Sequence, residues 1–216
     1  MSKKEISPPS GAGGLYRQIP AISNSDLTEF RNYLFGRPNS KPQKAFDFGT
    51  ALHEMILEPK KLIQAPEHVD MDLVQHLNKQ VRTDKFCQWI LQFASKEQVH
   101  LFTDSSTVLP CKTKLDLNFK NRLIVDLKTT SQTNYERFVK SCLEYDYDRQ
   151  AAFYMDSIGA KRFVFVGIAK KSPHGLYIFE PNRDFIEGGR KKYKALLRKW
   201  KEYDYVPTSW VLPMAA

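Results

Sequence analysis

Between residues 111 and 130 the chain alternates polar and apolar side chains with a period of two, and a polar triplet interrupts the pattern midway. Successive side chains of a strand point to opposite faces. Leu115, Leu117 and Phe119 therefore share one face of a first strand, and Leu123, Val125 and Leu127 take the matching face of a second. The opposite face carries Lys112, Lys114, Asp116 and Asn118, then Arg122, Ile124, Asp126 and Lys128. Lys120-Asn121-Arg122 reads as the turn of an antiparallel hairpin. A three-residue loop sets Asp116 opposite Asp126, and a two-residue loop shifts the pairing by one. Parity holds in either case: Asp116, Asp126 and Lys128 share a face. Two carboxylates facing one another across strands repel unless something positive lies between them. A divalent cation is one answer, and Lys128 or Lys114 is another. The plainer alternative is an exposed hairpin whose lysines neutralise its aspartates in water.

The rest of the chain supplies a fold around this hairpin. Its 216 residues suit one domain, and apolar and aromatic shares of 42% and 12% exclude wholesale disorder. No run reaches the roughly eighteen uncharged apolar residues of a membrane span. Met1-Ser2-Lys3-Lys4-Glu5 has no apolar stretch behind it, so no secretory signal is expected. Cys87, Cys111 and Cys142 are an odd number at wide spacing. They exclude a disulfide framework and suit a reducing compartment, so a cytoplasmic protein is expected.

Residues 1–14 read as a flexible tail, 15–205 as a single domain and 206–216 as a C-terminal extension. Within the domain, Ser25 is a candidate N-cap for a first helix. A second helix is expected from about Phe48 to Glu58, and a third over 70–96. Strands are expected across 99–130, a helix over 135–158, strands at 163–168 and 175–179, and a last helix over 184–203. The order implies an α/β fold, a mixed sheet flanked by helices.

Two helices carry further candidates. His53 sits in a mainly apolar turn, where a histidine read alone is more often a hydrogen-bonded core residue than a ligand. The His53-Glu54 pair does not make a zinc-protease motif, because Leu57 stands where the second histidine is needed. Glu54 lies about 100° round the helix from His53 and reads as solvated. Further on, Gln150 and Tyr154 fall four residues apart, on one helix face beside Ala151 and Ala152. A glutamine amide packed among alanines needs hydrogen-bond partners.

Taken in order, Gly49-x-x-x-His53, Asp116, Asp126-Leu127-Lys128 and Gln150-x-x-x-Tyr154 resemble the PD-(D/E)xK nuclease superfamily. More narrowly, residues 16–205 are similar to the recombination exonucleases of the RecE type (exonuclease VIII and its phage relatives), and more distantly to lambda exonuclease. The Pro-Asp half of the motif is Leu115-Asp116 here, and its second acid is Asp126 rather than glutamate. The resemblance implies a restriction-endonuclease-like core. It also implies a metal held by Asp116, Asp126, the Leu127 backbone carbonyl and His53, with Mg²⁺ the expected ion and Mn²⁺ a substitute. Lys128 is then the catalytic amine beside Asp126 and Asp116, and Gln150 and Tyr154 support the nucleophile or the phosphate. Three cysteines exclude the four-cysteine iron–sulfur cluster of some relatives. The implied activity is exonucleolytic digestion of linear double-stranded DNA, 5′ to 3′, in a bacterial cytosol. A ring-like homo-oligomer (trimer or tetramer) and a RecT-like annealing partner are implied with it. An end- or structure-specific endonuclease and a catalytically silent DNA-binding module are the alternatives.

The charge balance points the same way. Thirty-three basic residues against 24 acidic ones give +9, which favours polyanions. In the last helix Tyr193, Leu196, Leu197 and Trp200 form an apolar stripe. Arg190, Lys191, Lys194 and Arg198 on its remaining surface are the expected DNA contacts.

Overall fold

The computed structural model describes residues 16–39 and 42–210, so the tail 1–14 and the end of the C-terminal extension lie outside the described residues. Seven helices of more than one turn and five strands are described. They are α1 (Asn24–Leu34), α2 (Gln43–Leu57), α3 (Met71–Thr83), α4 (Lys85–Phe93), β1 (Ser95–Thr103), β2 (Pro110–Phe119), β3 (Leu123–Thr130), α5 (Tyr135–Glu144), α6 (Tyr147–Ile158), β4 (Arg162–Ala169), β5 (Leu176–Phe179) and α7 (Arg183–Tyr203). The strands lie in the order β1-β2-β3-β4-β5. The first three form an antiparallel meander, β3 and β4 are parallel, and β5 is antiparallel to β4. A parallel pair needs a long crossover. Helices α5 and α6 supply it, and this brings α6 over the strand that carries Asp126.

Helices cover both sheet faces, and the run 163–169 shows why. Phe163, Phe165 and Ala169 pack into one core with Phe30, Phe153, Tyr193 and Trp200 of α1, α6 and α7. Val164, Val166 and Ile168 pack into the other with Leu52, Ile56, Val74, Leu77 and Ile90 of α2, α3 and α4. A strand buried on both faces has no polar alternation to show, which is how this run reads in the sequence.

The hairpin takes the three-residue-loop register: Leu117, Asn118 and Phe119 pair with Val125, Ile124 and Leu123. Lys120 and Asn121 both adopt positive φ, and the Arg122 amide closes the turn on the Phe119 carbonyl at 3.0 Å. One face assignment needs correcting. Leu117 joins Leu123, Val125 and Leu127 in the core beneath α2, but Leu115 joins Ile124 in the core beneath α6. The β1–β2 pairing skips Glu97 and Asp116, and Glu97 sits at φ 54°, so the strand's alternation resets at Asp116.

Helix boundaries differ from the expected ones, at two places because a side chain caps the backbone and at one because a residue turns to positive φ. Ser23, not Ser25, caps α1, in a reciprocal pair with Asp26. The expected helix over 70–96 is two helices and the start of β1, because the Asp84 carboxylate accepts from the Cys87 amide at 2.9 Å and starts α4. The helix expected over 135–158 breaks at Asp146, which adopts φ 54°. Helix α2 begins at Gln43, ahead of the expected Phe48. Past Tyr205 the chain returns to α1, where Thr208 donates to Glu29 through its amide at 2.8 Å and its hydroxyl at 3.0 Å.

Helices α6 and α7 cross at Gly189, where a Cβ would overlap the Asp148 backbone carbonyl. At Gly188 the nearest atom to an added Cβ is Asp148 Oδ2, at 3.9 Å. Gly189→Ala is therefore expected to lower stability by about 1–3 kcal/mol through overpacking. Gly188→Ala is expected to raise it by up to about 1 kcal/mol through helix propensity. Urea unfolding of the two variants checks the contrast.

Candidate active site

The site forms where β2 and β3 part. Their pairing ends at Leu117 and Val125. Beyond that point the Asp116 carboxylate reaches across, and its Oδ2 accepts the Leu127 amide at 2.9 Å. Helix α2 closes on this gap through Gly49: a Cβ there would lie 3.3 Å from Thr129 Oγ1, a tight contact that the absence of a side chain relieves. One turn further on, His53 brings its Nδ1 to 3.6 Å from Asp116 Oδ2. That is an electrostatic contact, too long for a hydrogen bond.

Asp126 is 2% exposed and lies beneath α6. Its Oδ1 accepts from Gln150 Nε2 at 2.7 Å. Its Oδ2 is 2.6 Å from Lys128 Nζ but meets no donor in hydrogen-bond geometry. Burial pushes the carboxyl up, to about 6; the Lys128 ammonium opposes the shift and Asp116 adds to it. For Lys128 burial acts downward, but Asp126, Tyr147 and Asp116 outweigh it and hold the ammonium above the usual lysine range. The Lys128 ammonium also stands 4.8 Å from the centre of the Tyr147 ring, a cation–π contact. Tyr154 lies one turn from Gln150, whose side chain acts to lower its pKa, but burial first, then Tyr16 and Asp126, keep its hydroxyl un-ionised well above the usual range. Asp116, Asp126, Lys128, Gln150, Tyr154 and His53 thus gather at one place.

Like charge at the two aspartates is relieved separately. Lys128 serves Asp126 and the Leu127 amide serves Asp116. Lys114, the other candidate, pairs with Glu97 instead. Glu54 and Glu58 pair with Lys61 at 2.8 and 3.5 Å. Tyr147 escaped the sequence reading, because only the β3–α6 packing reveals that its ring faces Lys128.

The expected DNA contacts divide. Arg190 is committed within the protein: its Nε and Nη2 grip both Asp156 oxygens at 2.8 and 2.7 Å. The reason is its position on the side of α7 that faces α6. Lys191, Lys194 and Arg198 make no ion pair among the described residues. Lys192 bonds Asp146 and Asp148 at the start of α6, at 3.0 and 2.8 Å.

Among the described residues no three His, Cys, Asp or Glu side chains close on one point as a finished metal cage. The donors are nonetheless those of a hard divalent ion: two carboxylates, an imidazole and a strand carbonyl. The buried Asp126 Oδ2 without a hydrogen bond is the atom such an ion would satisfy. The residues fit the group.

The family model for the PDDEXK-like domain of unknown function (DUF3799) matches residues 26–206, and the chain belongs to that family. Nucleases of the PDDEXK type generally use divalent metal ions. The fold is shared with a protein of Eubacterium rectale described as a "putative exonuclease", at a TM-score of 0.69 and 14% identity, over 94% of this chain and 89% of that one. An alkaline exonuclease from Laribacter hongkongensis superposes more loosely, at a TM-score of 0.42 and 11% identity over 88% and 92% of the two chains. So does a phage-related exonuclease from Haemophilus somnus, at 0.41 and 13% over 84% and 94%. No curated protein matches at the level of sequence. Among the described residues no helix is long and apolar enough to cross a membrane.

The buried pair makes a stability test. Lys128 is 17% exposed at the side chain, so removing its charge is expected to cost near the lower end of the range for a broken buried pair, about 3 kcal/mol. Lys128→Met should show this loss in urea, and Asp126→Asn with Lys128→Met should recover most of it. In Lys128→Met the folded state keeps Asp126 above its unfolded pKa and binds the proton first. Its stability should therefore rise as pH falls from about 7 towards 4.

Proposed function

We propose that this chain is a metal-dependent deoxyribonuclease that digests linear double-stranded DNA from its ends. The observation that carries the reading is the meeting of Asp116, Asp126 and Lys128 at the parting of β2 and β3, with His53 delivered beside them. Phosphodiester hydrolysis needs an activated water and neutralised phosphate charge. A divalent ion on Asp116, Asp126, His53 and the Leu127 carbonyl would supply both, Mg²⁺ by the hardness of the donors and Mn²⁺ as its substitute. The chain's own residues do the rest. Gln150 holds the Asp126 carboxylate in place, and Tyr154 backs Gln150. The Lys128 ammonium, fixed between Asp126 and the Tyr147 ring, orients the attacking water or takes charge from a phosphate oxygen.

The finer parts of the reading rest on the resemblance in the motifs: 5′-to-3′ polarity, a ring-like trimer or tetramer around DNA, a RecT-like annealing partner and a bacterial cytosol. The basic surface of Lys191, Lys194 and Arg198 would also suit a second reading, a catalytically silent DNA-binding module. Calorimetry separates the two, because a silent module takes up no Mg²⁺ or Mn²⁺.

The decisive experiment compares end-labelled linear duplex with a covalently closed circle, in Mg²⁺ and in chelator. Digestion of the linear form alone, in Mg²⁺ alone, is expected; cutting of the circle would make the enzyme an endonuclease. Asp116→Asn and Lys128→Ala should each slow digestion by roughly 10²–10⁴-fold while the circular dichroism spectrum stays that of a folded chain. Digestion by Lys128→Ala at the wild-type rate would sink the assignment. Reversing Lys191, Lys194 and Arg198 to glutamate should weaken binding to all DNA sequences alike. It should also flatten the salt dependence by up to about one unit for each phosphate that is no longer neutralised.

A further inference from the structure

The corner between α5 and α6 exposes apolar surface one ring away from the Lys128 amine. Tyr145 is 62% exposed and Leu143 is 51% exposed. The corner is nonetheless rigidly held. The Tyr145 amide donates to the Ser141 carbonyl at 3.0 Å and the Asp146 amide to that of Leu143 at 3.2 Å. The Asp146 carboxylate then ties the corner to Arg31 of α1 and to Lys192 of α7. Tyr145 packs its ring 5.8 Å from that of Tyr147, at 37°. Tyr147 in turn faces the Lys128 ammonium at 4.8 Å. An exposed ring, an inner ring and the amine thus form a continuous series, no longer than about three base rises of ~3.4 Å each.

We infer that Tyr145, with Leu143 beside it, is a stacking platform for a nucleobase of the strand whose phosphate meets Lys128. The inference rests on the nuclease reading and names how that site holds its substrate. Stacking suits an enzyme that must accept every sequence, because each base offers a π-face. A fixed corner loses little conformational entropy when a base settles on it. A second copy of the chain, the other occupant such a surface could take, has no comparable reason to lie against the catalytic amine.

The test uses the full chain in chelator, so that nothing is cleaved, with single-stranded and linear duplex oligonucleotides carrying 2-aminopurine at the terminal position. Binding should quench the fluorescence. Tyr145→Ala should lose most of the quench and bind roughly tenfold more weakly, and Tyr145→Phe, which keeps the ring, should behave as wild type. Light scattering on each variant reports subunit association. Wild-type quenching by Tyr145→Ala would overturn the platform, and so would a change in association with the quench intact. Tyr145-dependent quenching in a chain that cleaves no DNA in Mg²⁺ would support the platform while removing the nuclease reading. Normal cleavage with quenching indifferent to Tyr145 would remove the platform alone.

Discussion

A buried carboxylate organises this molecule. Asp126 lies under α6 with almost no access to water, and ionised groups are expensive to hold in such a place unless charge and hydrogen bonds compensate. The compensation comes from two directions: the ammonium two residues along the same strand, and the amide of Gln150 from the helix above. Lys128 is held in turn against the Tyr147 ring, and Tyr154 stands one turn beyond Gln150 on the same helix. Burial raises the energy of the charged group, and the ammonium and the amide together offset that cost.

The architecture around this group follows from the need to put a helix on each side of β3. The parallel β3–β4 pair forces a crossover, and the crossover delivers α6 with Gln150 and Tyr147. On the other face, Gly49 lets α2 close on Thr129, and His53 arrives one turn later beside Asp116. The two halves of the site therefore come from opposite layers, and they meet only because β2 and β3 separate at Asp116. Close contact recurs at Gly189, where the α6–α7 crossing leaves no space for a Cβ. It recurs again at Gly167, opposite Lys128 on β4, where a Cβ would come within 2.6 Å of the Phe138 ring. Glycines thus stand where the helix layers close on the sheet and on one another.

Much of this was legible in the chain. The hairpin, the shared side of Asp126 and Lys128, the buried β4 and the spacing of Gln150 and Tyr154 all follow from periodicity, which is a local property; the hairpin's register was open between two loop lengths, and the turn geometry decided it. The boundaries that went astray share a different cause. Ser23, Asp84 and Asp146 end or begin helices through one hydrogen bond or one backbone angle, and neither interrupts hydrophobic periodicity. Leu115 was misassigned because alternation assumes an unbroken pleat, and the pleat resets at Asp116. Arg190 looked like a free cation because its partner, Asp156, lies on another helix.

Sequence alone determined which residue types could do chemistry, and in what order along which elements: two aspartates and a lysine on a hairpin, a histidine on one helix, a glutamine and a tyrosine on another. Spacing within an element is set by covalent geometry, so these statements needed no neighbours. Tertiary structure alone decided that Lys128 answers Asp126 while a backbone amide answers Asp116. It also decided that Tyr147 faces the amine and Tyr145 faces solvent, and that one arginine of α7 is spent on a partner within the protein. Those outcomes depend on distances between elements far apart in the chain, which are settled by how the two cores pack against the sheet.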